Sequence, residues 1–160
     1  MRMILLVLVG SVLAYFGAKK LAWMLADDET QIAWLIEGME EDFDDATVRG
    51  CLKPIAKDWS HEDSRYLDRS TLQQGLASTF FNERNREKQF VLDAEVPEDK
   101  LQINVTGDTA QVQATVEFLR LEQSIWKPTW TFRLDSRWEK RDEGWRLVHS
   151  SHEDLVGKRF

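Results

Sequence analysis

Apolar residues change period once along this chain, and that change divides it into parts. Met3 to Ala18 carry no charge, and Lys19 and Lys20 precede a further apolar stretch to Ala26. From Asp27 the period is helical. Ile32, Leu35, Ile36, Met39 and Phe43 fall at i, i+3, i+4, i+7 and i+11, which predicts an amphipathic helix. Asp27, Asp28 and Glu29 suit the positive end of its dipole. Thr47 to Trp59 contains the breakers Gly50 and Pro54 and predicts a brief helix or loop. A second helix is predicted from Asp68, with Asp68 or Ser70 as cap and Leu72, Leu76, Phe80 and Phe81 as its apolar side, running to about Arg86.

Beyond Phe90 the period is two. Strands are predicted at Phe90–Val96, at Leu101–Val105, around Val112–Phe118, around Trp130–Trp138 and at Trp145–His149. Gly107-Asp108 and Asp142-Glu143-Gly144 mark turns. Helices first and strands after imply an α+β domain over residues 27–160, with helices packed on a curved antiparallel sheet of four to five strands.

The opening segment is read as a transmembrane anchor over residues 1–26. Sixteen apolar residues rise about 24 Å as a helix, short of a ~30 Å hydrocarbon core. The span suffices through Ala26 if both lysines snorkel to the interface, with Trp23 at headgroup depth. A cleaved signal peptide is the competing reading, but cuts after Ala18 or Ala26 leave Phe16 or Met24 at the −3 position, where a small residue is expected. The implied location is a single-pass cell-membrane protein that meets lipid through residues 3–26. Arg2 on one side and the two lysines on the other leave the side of the domain open, cytoplasmic or extracytoplasmic.

Charge narrows the partners. The chain carries −7, and residues 27–160 hold 18 basic against 28 acidic residues, a net of −10. Nucleic acid is not expected, and docking of the domain on anionic lipid is disfavoured. Nine carboxylates lie between Asp27 and Asp45 without a lysine or arginine, which reads as a solvated face that keeps the domain off the membrane, or else as a surface for a cation or a basic partner. Cys51 is the one cysteine, so no disulfide closes within the chain and no multi-cysteine zinc site exists.

Two hairpin sequences, VQATVEFLRL and TWTFRLDSRWEKRDEGWRLVHSSHE, follow the early helix QIAWLIEGMEEDFDDAT, and the last strand opens Trp145-Arg-Leu-Val-His. Over roughly residues 30–155 this layout resembles the nuclear transport factor 2-like superfamily. The resemblance implies a cone-shaped α+β fold whose sheet wraps a pocket. Enzymatic members use acids and histidines in that pocket, and many members dimerise through the outer sheet face. Members also include binding domains and assembly modules, so the fold does not carry a function with it.

On this reading the catalytic candidates are His149, Asp58 and His61, with Asp93 and His152 behind them. A histidine beside a carboxylate can move a proton near neutral pH. Strand alternation puts His149 on one face with Trp145 and Leu147, and turns His152 away unless a bulge intervenes. His61-Glu62-Asp63 and His152-Glu153-Asp154 lack metal-ligand spacing, so neither a metal nor a cofactor is expected. Trp126, Trp130 and Trp138 offer either a ligand or partner surface or sheet core. The leading expectation is a membrane-tethered, non-enzymatic domain that binds a protein partner or its own copy through the sheet face. The alternative is a membrane-anchored enzyme acting by acid–base chemistry on a small apolar ligand.

Overall fold

The computed structural model describes residues 21–62 and 66–157. Most of the expected anchor lies outside the described residues. Residues 21–25 are helical, and among the described residues no helix is long and apolar enough to cross a membrane.

Helix α1 (Asp28–Asp44) forms where the 3.6-residue stripe predicts it. Its N-cap Asp27 accepts a hydrogen bond from the Thr30 N–H at 2.8 Å. Ile32, on the stripe, is fully buried. A single turn, α2 (Val48–Cys51), follows. Helix α3 (Arg69–Asn82) is capped by Asp68 in the same way, through the Thr71 N–H at 2.7 Å. It ends four residues before the expected Arg86.

The sheet has six strands rather than four or five: β1 (Ile55–His61), β2 (Leu92–Glu95), β3 (Leu101–Thr106), β4 (Thr109–Glu122), β5 (Ile125–Arg141) and β6 (Gly144–Gly157). The order is β1-β6-β5-β4-β2, and β3 pairs with β4 beside β2. Antiparallel pairing runs throughout except at the β1 edge, which is parallel to β6. The unforeseen strand is β1, expected as helix or loop. Its buried residues do not alternate, because its register slips between Ile55 and Ser60 and puts Ile55, Ala56 and Trp59 inside. A period of two is invisible in so irregular a strand.

Strands β4 and β5 are also longer than expected. They join at Gln123-Ser124, both with positive φ (50° and 66°) as a tight hairpin turn requires. The sheet is curved and unclosed, with α1 and α3 across its concave side. Trp145 and Trp138, at 0% and 2% exposure, are the largest side chains of the core between them.

Candidate functional site

The concave side of the sheet encloses a cavity of about 270 Å³. Ile36, Met39 and Phe43 of α1 line it, with Leu72 and Leu76 of α3 opposite. Val112, Ala114 and Val116 of β4 and Leu134 of β5 form its sheet wall. These β4 residues alternate along the strand, so the period read in the sequence builds the wall directly.

The polar groups in the wall are already engaged. The Trp138 indole N–H donates to Ser136 Oγ at 3.1 Å, and that hydroxyl donates to the Val112 carbonyl at 3.2 Å. The Trp59 indole N–H donates to Ser150 Oγ at 3.2 Å. Among the described residues, no buried side-chain nitrogen or oxygen lacks a partner. Burial pushes the Cys51 thiol up to about 11, so it is not a thiolate at neutral pH. Among the described residues, Glu40 is the one carboxylate in the wall. Burial raises its pKa, and it accepts the backbone N–H of Val96. The sequence holds a signal for it, since Glu40 stands four residues after Ile36 on the apolar stripe of α1, yet pattern reading does not single it out as a site residue.

Glu40 belongs to a pair of contacts that closes an open sheet edge. One turn on, Asp44 Oδ1 accepts the Ala94 N–H at 3.2 Å, so two carboxylates of α1 take alternate donors, one within β2 and one just past its end. Asp44, although exposed, is pushed up to about 7 by desolvation and by its hydrogen bond with Asp93. Asp93 therefore serves this junction rather than the cavity.

The expected catalytic residues are placed differently. His149 does not face the cavity. The β5–β6 register shifts between Arg137 and Trp138, so Trp138 pairs with Leu147 but Arg137 pairs with His149. Val148 is the extra residue, and it inverts the positions of β6 from His149 to Asp154, where a second shift opposite Thr131 and Phe132 restores the parity. His149 lies on the outer side, where its Nδ1 meets Ser60 Oγ at 2.9 Å beside Arg137 and Asp135. Asp58 is also outside, held by Arg141 at 2.6 and 2.9 Å. That guanidinium keeps its carboxyl below the usual carboxylate range.

The same bulge turns Ser150 and His152 inward. His61 Nδ1 lies 2.7 Å from the Ser150 carbonyl, and His61 Nε2 lies 2.9 Å from His152 Nδ1. A carbonyl only accepts, so His61 Nδ1 carries a proton. In neutral His61, Nε2 is then an acceptor and His152 Nδ1 is the donor. His152 pairs in register with Leu134, a residue of the cavity wall, so this dyad stands at the cavity's rim. The sequence offers both histidines but not their meeting.

The tryptophans divide. Trp130 and Trp138 are buried, at 6% and 2% exposure, and Trp130 donates to Asp154 at 2.8 Å while stacking on Phe118. Trp126 is exposed at 44% and pairs with Leu121 near the β4–β5 hairpin tip. Arg120, between Leu119 and Leu121, reaches Glu83 after α3, so the two leucines sit on the face away from the helices.

No family model matches the sequence, and no curated protein matches it. Solved structures do resemble it. A nuclear transport factor 2-like protein with a cystatin-like fold from Novosphingobium aromaticivorans superposes with a TM-score of 0.66 at 14% identity, over 88% of this chain and 89% of its own. This chain has the nuclear transport factor 2-like fold. Another structure with that fold, described as a candidate dehydratase from Streptomyces avermitilis, matches with a TM-score of 0.62 at 13% identity, over 81% and 97%. A third, described as a candidate aromatic ring hydroxylase from N. aromaticivorans, matches with a TM-score of 0.61 at 13% identity, over 81% and 90%. In this nuclear transport factor 2-like cone, the wall is apolar and its polar groups are self-satisfied.

Proposed function

We propose that the protein is a membrane-tethered, non-enzymatic binding domain, held by residues 3–26, whose cone takes up a small apolar ligand without turning it over. The observation that supports this reading most is the wall of the 270 Å³ cavity, in which every polar group but a backbone-bound carboxylate is spent on a neighbour. An apolar cavity of ~150 Å³ holds benzene, so this one has room for a larger ring. The tether reading rests on the uncharged run Met3–Ala18 and on the exposure of Leu21, Met24 and Leu25 just before α1. Protein contact, in this reading, falls to Leu119, Leu121 and Trp126, since Trp130 and Trp138 are committed to the core.

Toluene is a suitable probe, with the full chain in phosphatidylcholine nanodiscs. A ligand at a hundredfold excess over its dissociation constant adds about 2.7 kcal/mol. For a domain of this size that raises Tm by roughly 5–10 °C. Ala114→Phe places a ring in the cavity and should abolish most of the rise. No rise in the wild type, or equal rises in both proteins, would sink the reading.

The histidine dyad favours one alternative, acid–base chemistry at the rim by His61 and His152. That chemistry needs a fixed proton arrangement. Long-range proton–nitrogen spectra of the full chain at neutral pH should then show both rings in the Nδ1–H tautomer, and His61→Asn should release His152 to a mixture. Averaged tautomers in the wild type would remove this alternative.

A further inference from the structure

The domain is acidic as a whole, yet its cations are not evenly spread. A second hollow, of about 350 Å³, opens between the start of β1, the first residue of α3 and the β5–β6 turn. Five cations line it, Lys53, Lys57, Arg69, Arg141 and Arg146, against Asp142 and Glu143.

Two of the five have carboxylate partners. Arg141 is neutralised by Asp58 and Glu139. Arg146 reaches Glu143 at 3.3 Å, but that carboxylate is 85% exposed and screens it little. Lys53, Lys57 and Arg69 have no carboxylate within ion-pair distance among the described residues. Arg69 is half-buried and spends Nε and one Nη on the Ile55 and Leu52 carbonyls, each at 3.2 Å, which leaves its charge uncompensated. A half-buried guanidinium held rigid by carbonyls, with two unpaired lysines beside it, has the geometry of an anion receptor.

The position of the hollow adds to this. Lys140 and Trp145, on either side of the β5–β6 turn, both bind Asp28 Oδ1 in the first turn of α1, at 2.7 and 2.9 Å. The hollow therefore adjoins the point where the chain enters the domain from residues 21–26. Asp42, Asp44 and Asp45 sit at the other end of α1, about 24 Å along a 17-residue helix, while Asp27, Asp28 and Glu29 lie at the near end. Net charge argues against broad docking on anionic lipid; the unpaired cations of the hollow offer a local site for a single phosphate.

We propose that the hollow lined by Lys53, Lys57, Arg69 and Arg146 binds a phosphate group. The chemistry is shared by a lipid headgroup and by free phosphate. Adjacency to the chain's entry favours the headgroup, a preference that rests on the tether reading.

The test uses the full chain and inorganic phosphate, titrated calorimetrically in phosphatidylcholine nanodiscs. Binding should appear, weaken with added sodium chloride, and fall by about tenfold or more in Lys53→Ser/Lys57→Ser, since two charge-assisted contacts are lost. Both lysines are exposed, so this variant should keep the wild-type Tm. Repeating the titration in nanodiscs containing phosphatidylglycerol separates the sources. Loss of phosphate binding there identifies the headgroup as occupant, and unchanged binding identifies free phosphate. Absence of phosphate binding in the zwitterionic discs, or equal binding by the double variant, overturns the site. Should the chain prove soluble without lipid, the tether reading fails, and the same titration in buffer still decides the phosphate site.

Discussion

Trp145→Ala should destabilise the protein by about 3–5 kcal/mol, the largest loss expected from truncating one side chain of this core. Trp145 is at 0% exposure, in the cluster that joins α1 to β1, β4, β5 and β6. Its removal deletes the ring's buried area and leaves a cavity that the flanking strands cannot collapse to fill, because β6 is held by a ladder on both sides. It also removes the indole donor that fixes Asp28 at the start of α1. Urea denaturation of the full chain, followed by far-ultraviolet circular dichroism, measures the change. Trp126→Ala is the control. That ring is exposed at the hairpin tip and should cost no more than about 0.5 kcal/mol. Similar costs for the two would mean that Trp145 is not the centre of the core.

Ser136→Ala should cost about 1–3 kcal/mol despite removing one oxygen atom. That hydroxyl accepts the Trp138 N–H and donates to the Val112 carbonyl, and it is 5% exposed. Without it, the indole N–H of a 2%-exposed ring is left in an apolar wall, where the cost is that of desolvating an unpaired donor. The loss should therefore be coupled to the indole. In a double-mutant cycle with Trp138→Phe, the serine substitution should become cheaper by about 0.5–3 kcal/mol, since no donor is then stranded. Strict additivity of the two would show that the hydroxyl does not serve the indole. The outcome also bears on the proposed function, because an apolar ligand is favoured by a wall whose polar groups satisfy one another.

The candidate site is legible in the sequence only where a regular period runs unbroken. Val112, Ala114 and Val116 read as one face of a strand, and they are the wall. Ile36, Met39 and Phe43 read as one stripe of a helix, and they are the opposite wall. His149 defeats the pattern because alternation cannot be carried across a bulge that leaves no mark in the local sequence. One inserted position at Val148 sends His149 outward and brings His152 in to His61. Asp58 defeats it because β1 does not look like a strand, so the arginine waiting across its edge, Arg141, cannot be anticipated. Trp130 and Trp138 show the same limit, since composition flags tryptophan but cannot say which side of a sheet it faces.

By itself, the sequence determined the α+β order, the acidic start and apolar stripe of α1, the hairpin turns at Gly107 and Gly144, and the overall acidity. All but the last are set by contacts within a few residues, and the acidity by composition alone. Tertiary structure alone decided the parallel edge strand β1, the bulge in β6, the His61–His152 meeting and the gathering of Lys53, Lys57 and Arg69 at the end of the domain where the chain enters. Each depends on which distant segment lies alongside, and that is fixed by packing of the whole core rather than by any local period.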